Sequence, residues 1–183
     1  GNQDVKNIPT AQLMKHVAYV AQDNFLFDTS IRENLKIAKA DATDEEILNA
    51  LKAANCLELI ERLPEGLNSN AGDCGKFLSG GERQRITLAR AMLADAQCII
   101  LDEATAYADV ENEAKIQEAL SRLMKDKTLI VVAHRLNTIV GADQIMVLDH
   151  GTINSIGTHK ELIQNSSAYQ KLWQSYSGKE VVE

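Results

Sequence analysis

An α/β fold built on a parallel sheet is what the sequence predicts, and three observations carry that expectation. Two short apolar runs, Cys98-Ile99-Ile100-Leu101 and Thr128 to Ala133, have the length and branched character of strands covered on both faces. Segments with apolar residues at helical spacing precede and separate them, so strand and helix alternate. Helix starts are marked by Ser or Thr with Glu three residues later, at Thr43, Ser79 and Thr158.

Taken in order, His16 to Val20 alternates in a β-favouring pattern and runs into a loop at Gln22. Thr43 and Glu46 form a capping box for a helix continued by Ile47, Leu48, Leu51 and Ala54. A shorter helix covers Leu57 to Leu63 and is stopped by Pro64, which cannot continue it. Residues 65–77 are rich in Gly, Asn, Ser and Asp and read as loop, after which Ser79 opens a helix to about Leu93. The strand Cys98 to Leu101 ends in two acids, Asp102 and Glu103, and a helix carried by Ile116, Leu120 and Leu123 follows. Thr128 to Ala133 is a second buried strand and Gln144 to Leu148 a third, the latter followed by His150-Gly151 and a β-like segment, Thr152 to Ile156. Thr158 with Glu161 caps a short helix, and Ala168 to Trp173 forms another before a polar tail.

The composition narrows the function classes. The 183 residues are 45% hydrophobic and 25% charged, with 10 Gly and 2 Pro, as in an ordinary globular domain. Nineteen Lys and Arg against 26 Asp and Glu leave a formal charge of -7 without an extended basic run, the wrong electrostatics for a dedicated nucleic-acid binder. The three cysteines, Cys56, Cys74 and Cys98, make no C-x-x-C, so neither a disulfide framework nor a zinc site is expected, and a reducing compartment fits. No stretch approaches the ~18 apolar residues of a membrane-spanning helix. The chain opens without Met or an apolar leader, and its start reads as a cut.

Two motifs carry chemistry. A carboxylate at the C-terminal end of a buried parallel strand, as Asp102 and Glu103 are placed, stands where α/β folds put metal and phosphate chemistry; an acidic strand tip that is merely solvated is the plain alternative. Ser79-Gly80-Gly81-Glu82 at a helix start lets the backbone approach an anion, with exposed N–H groups and the positive helix end favouring phosphate. Ser79 and Glu82 also satisfy a capping box, which by itself would do no more than begin a helix. The continuation Arg83-Gln84-Arg85 and Ala89-Arg90-Ala91, shortly before Asp102-Glu103, argues for the larger motif.

With these residues in place the chain resembles the nucleotide-binding domain of exporter-type ATP-binding cassette (ABC) transporters, over nearly its whole length. Leu78 to Glu82 is similar to the family signature Leu-Ser-Gly-Gly-Gln, with Glu82 as its last residue. Leu101-Asp102-Glu103 resembles the Walker B motif, Gln22 the Q-loop glutamine, and His134, after the second apolar strand, the switch histidine. Asp109 resembles the D-loop aspartate, although Ala106-Tyr107-Ala108-Asp109 departs from the common Ser-Ala-Leu-Asp. Phe25 to Asn34 and Asn70 to Gly75 are similar to exporter segments that follow the Q-loop and precede the signature, the second of which touches the membrane domain.

The resemblance implies a P-loop NTPase-like parallel sheet flanked by helices, with an α-helical signature subdomain inserted at about 28–95, a RecA-like core over 1–27 and 96–165, and a C-terminal helix and tail over 166–183. It implies ATP and Mg²⁺ as cofactors. Glu103, His134 and Gln22 are then catalytic, Asp102 and Gln22 metal-binding, and Ser79, Gly80, Gly81, Glu82 and Asp109 nucleotide-binding. The implied partners are a transmembrane domain, fused or separate, and a second ABC ATPase domain in a head-to-tail dimer at the cytoplasmic face of the plasma membrane. No Gly-x-x-x-x-Gly-Lys-Ser/Thr occurs in these residues, and Gly72-x-x-Gly75-Lys76 has the wrong spacing. The chain therefore reads as one domain without its P-loop part, inactive alone. A non-hydrolysing interaction module that presents the signature to a partner is the alternative. A DNA-repair or chromosome-organising ATPase is set aside, because the stretch between Gln22 and Ser79 is too short and loop-rich for a long coiled coil.

Overall fold

The computed structural model describes residues 3–102, 110–133 and 136–177, which divide into two compact units, residues 1–132 and 133–183. In the first unit, a short helix α1 (Thr10–Leu13) leads into β1 (Val17–Val20). Four helices follow before the next strand: α2 (Ile31–Lys36), α3 (Asp44–Ala53), α4 (Leu57–Arg62) and α5 (Gly80–Ala94). Then come β2 (Cys98–Asp102), α6 (Val110–Met124) and β3 (Thr128–Val132). The three strands form one parallel sheet in the order β1-β2-β3, with Val17 beside Cys98 and Cys98 beside Thr128.

Local chemistry explains the helix starts. Thr43 accepts from the Glu46 N–H while the Glu46 carboxylate takes the Thr43 N–H, so the box closes in both directions. Ser79 and Glu82 do the same for α5, and Ser30 caps α2 from the Glu33 N–H. The helix α5 ends where Asp95 adopts a left-handed conformation, φ 47°, which turns the chain toward β2.

Burial follows the two periods. Ala18 and Val20 of β1 and Ile99 and Leu101 of β2 share one sheet face and are buried in a core with Ile86, Leu88 and Ala89 of α5 and Ile116, Ala119, Leu120 and Leu123 of α6. That core continues into the helical part through Ile31, Leu35, Ile47, Leu51, Leu59 and Ile60. The opposite sheet face carries Tyr19, Ile100, Asp102, Ile130 and Val132 and is more open. Here the expectation of two strands covered on both faces is corrected. β2 alternates buried and half-buried residues, and in β3 Ile130, Val131 and Val132 are exposed, because helices pack on one face only among the described residues and β3 is an edge.

The second unit is a hairpin packed on two helices. β4 (Ile145–Asp149) pairs antiparallel with β5 (Thr152–Gly157), and α7 (His159–Asn165) and α8 (Ser167–Ser177) complete it. His150 and Gly151, φ 46° and 76°, supply the two left-handed residues that a type I′ turn requires. Ile145, Val147, Leu162 and Tyr169 form its buried centre. The expected third strand of the alternating series thus pairs with its immediate successor, and no described residue places it in the parallel sheet. A two-residue turn makes that local pairing the easier one to close. No helix among the described residues is long and apolar enough to cross a membrane.

Candidate functional site

The expected site residues fall into two separate groups among the described residues. Gln22 lies two residues beyond the C-terminal end of β1, and Asp102 is the last residue of the neighbouring β2. Parallel pairing of Val20 with Leu101 brings both to the same sheet edge. Asp102 is half-buried, and its Oδ2 accepts a hydrogen bond of 2.8 Å from the Tyr19 hydroxyl, which projects from β1 on the same face. The bond to Asp102, with burial and the charge of that carboxylate and of Asp23, raises the Tyr19 pKa. Gln22 is half-buried as well, and its carbonyl accepts from Asn24 Nδ2 at 3.2 Å.

The second group is the start of α5. Ser79 Oγ accepts from the Glu82 N–H at 3.3 Å, and Glu82 Oε2 accepts from the Ser79 N–H at 2.8 Å. The remaining first-turn N–H groups, those of Gly80 and Gly81, have no intrahelical acceptor, because the preceding turn of carbonyls does not exist. The helix runs for 15 residues behind them, so its full positive end lies at these two amides. Burial works to raise the Glu82 pKa. The Ser79 N–H and the Arg62 guanidinium outweigh it, and the net direction is down. Arg62, at the end of α4, forms an ion pair with Glu82 Oε1.

A buried network ties the segment after Gln22 to α5. Asn34 is fully buried; its Oδ1 accepts from the Phe27 N–H at 2.9 Å, and its Nδ2 donates to the carbonyls of Phe27 and Ser30 at 3.0 and 3.1 Å. Arg90 of α5 donates to the Asn34 carbonyl at 2.9 Å and to Asn34 Oδ1 at 3.1 Å. Thr87 Oγ1 donates to Asn24 Oδ1 at 3.0 Å. Sequence reasoning did not single out Tyr19, Asn34 or Arg62 for these roles. Tyr19 and Arg62 act across a long sequence separation, as does Asn34 toward Arg90, and only the buried asparagine left a local sign, a polar residue between apolar Ile31 and Leu35 in a helical pattern.

Glu103, Asp109 and His134 lie outside the described residues. Among the described residues no group of three or more His, Cys, Asp or Glu stands together. Mg²⁺ does not need one, since it keeps several waters and takes one or two carboxylates plus substrate phosphates. The hard oxygen donors at the edge of the sheet, the Asp102 carboxylate and the Gln22 amide, fit that ion, and the two amides at the α5 start fit a phosphate.

The fold, a parallel sheet with helices inserted between its first two strands and an anion-ready helix leading back into the sheet, defines the chain as an α/β domain of the nucleotide-binding type. A family model described as ABC transporter matches residues 1–106, and the chain belongs to that family. It is 49% identical over 170 residues to the putative multidrug export ATP-binding/permease protein YgaD of Bacillus subtilis, covering 93% of this chain and 29% of that one. It is 46% identical over 173 residues to the mycobactin import ATP-binding/permease protein IrtA of Mycolicibacterium thermoresistibile, covering 94% of this chain and 19% of that one. A bacterial Atm1-family ABC exporter solved with ATP bound superposes with a TM-score of 0.85 at 33% identity, over 94% of this chain and 30% of the exporter. The chain thus spans less than a third of each of these proteins.

Proposed function

We propose that these residues form part of an ATP-hydrolysing cassette that couples ATP binding and hydrolysis to movement of a substrate across a membrane. The observation that carries the reading is the start of α5, where Gly80 and Gly81 present backbone amides at the positive end of a capped 15-residue helix. Family membership and the ATP-binding/permease character of the relatives support it. The subdomain division given above, the head-to-tail dimer, the transmembrane partner and the cytoplasmic location belong to the same proposal.

In this reading Ser79, Gly80 and Gly81 hold the terminal phosphate of ATP bound by a partner cassette, with Glu82 fixing their conformation. Asp102, oriented by Tyr19, and Gln22 hold Mg²⁺, which when bound supplies neutralisation of phosphate charge. Glu103 accepts the proton of the attacking water and orients it, His134 contacts the terminal phosphate, and Asp109 lies at the interface between cassettes. The phosphate cradle of a P-loop is not among these 183 residues.

The 183-residue chain is therefore expected to bind MgATP with an affinity weaker than about 1 mM, because most phosphate contacts come from that cradle. Titration calorimetry checks this, and a micromolar constant would sink it. In a protein that joins these residues to a P-loop, Glu103→Gln is expected to lower turnover at least ~100-fold by removing the base. Unchanged turnover would refute the assignment.

A further inference from the structure

We propose that Arg62 is a positioning residue of the phosphate-binding helix start, where it neutralises and orients the Glu82 carboxylate that this chain carries beside Gly80 and Gly81. The inference rests on the reading of the α5 start as a phosphate site. A glutamate at the third position of a helix suits capping, since its charge complements the helix end. The same positive end is what a phosphate would use, so an uncompensated carboxylate there competes with an incoming polyanion.

The geometry resolves that conflict. One carboxylate oxygen of Glu82, Oε2, is taken by the Ser79 N–H, and the other, Oε1, by Arg62 Nη2. Both oxygens are therefore turned toward protein donors. The Glu82 side chain is only 14% exposed, whereas that of Arg62 is 67% exposed. The neutralising charge thus sits on the solvent side of the pair. Arg62 is held there from below: Leu59 and Ile60, in the same short helix, are buried in the core that also contains Ile86 of α5. Its own position in the last turn of α4 favours a cation. Arginine suits the task because its planar fork keeps its charge and its direction.

The experiment uses the 183-residue chain and inorganic pyrophosphate at low ionic strength, following the Gly80 and Gly81 amide resonances. Arg62→Ala is expected to weaken the pyrophosphate dissociation constant about three- to tenfold, while Arg62→Lys recovers most of the loss. In the Glu82→Gln background, the same Arg62→Ala change is expected to move the constant less than about twofold, because there is no charge left to neutralise. A merely structural contact would show the full loss in both backgrounds, and that result overturns the assignment. Saturable binding with equal constants for wild type and Arg62→Ala overturns it too, leaving the phosphate reading intact. If neither glycine amide responds in the wild type, the phosphate reading falls and the role of Arg62 falls with it.

Discussion

Asn34→Ala tests whether the segment that follows Gln22 is held by a single buried side chain. The substitution removes both bonds accepted by Oδ1, from the Phe27 N–H and from Arg90, and those donated by Nδ2 to the Phe27 and Ser30 carbonyls. The two carbonyls keep other donors, since Thr29 N–H also reaches the Phe27 oxygen and Asn34 N–H the Ser30 oxygen. The uncompensated losses are therefore the Phe27 N–H and one charged donor of Arg90. At about 1–3 kcal/mol for each of the two stranded donors, the expected destabilisation is about 2–6 kcal/mol. Urea unfolding followed by far-UV circular dichroism reads it as a lowered midpoint at unchanged slope. Hydrogen exchange at the Phe27 amide is expected to accelerate by more than the global change alone requires. A loss below about 0.5 kcal/mol, with Phe27 still protected, would refute the view that Asn34 organises this segment.

Three further outcomes follow from the same structure. The Glu82 carboxyl has a folded-state pKa below its unfolded value, so its stabilisation is complete above the ordinary carboxylate range and is lost as pH falls through the folded value; melts of wild type and Glu82→Gln are expected to converge as pH falls through and below the ordinary carboxylate range. Burial pushes the Cys56 thiol up to about 12, whereas Cys74 is exposed, so a thiol reagent at pH 8 is expected to label Cys74 in the native protein and Cys56 only after unfolding, as mass spectrometry would show. Tyr169→Phe removes the 2.9 Å bond between its hydroxyl and His159 Nδ1 inside the second unit, with an expected cost of about 0.5–1.5 kcal/mol. Fluorescence of Trp173, the single tryptophan and a neighbour of the His159 ring, reports that loss.

What could be read in advance was the chemistry that acts over a few residues. Thr43 with Glu46, Ser79 with Glu82 and Thr158 with Glu161 all close the capping boxes their spacing announces, and the helices they begin follow. The apolar run Cys98 to Leu101 is the central strand of a parallel sheet, as its composition implied. Strand partners were harder to read. Thr128 to Val132 looks like a strand buried on both faces, yet its side chains have helix cover on one side at most, and burial depends on which neighbours arrive. The segment Ile145 to Asp149 continues an alternating pattern but finds its partner across His150-Gly151, where the left-handed turn decides. In the proposed site, the capped helix start at Ser79 and the strand-end acid Asp102 were visible as motifs. Tyr19 on Asp102, Arg90 on Asn34 and Arg62 on Glu82 were not, because a hydrogen bond between distant residues leaves no period or spacing in the sequence.

The placement of the helical segment between β1 and β2 has a consequence for the order in which the sheet assembles. Val17 pairs with Cys98, about 80 residues away, whereas Cys98 pairs with Thr128, about 30 away. On the logarithmic cost of loop closure these separations correspond to about 4 and about 3 kcal/mol of chain entropy. The central strand is therefore better placed to find β3 first, through α6. β1 joins when α2 to α5 have already shortened the path by packing on one another. On these costs the strand that leads to Gln22 is expected to join after β2 and β3 have paired, so the edge that gathers Gln22 and Asp102 is completed only with that later step.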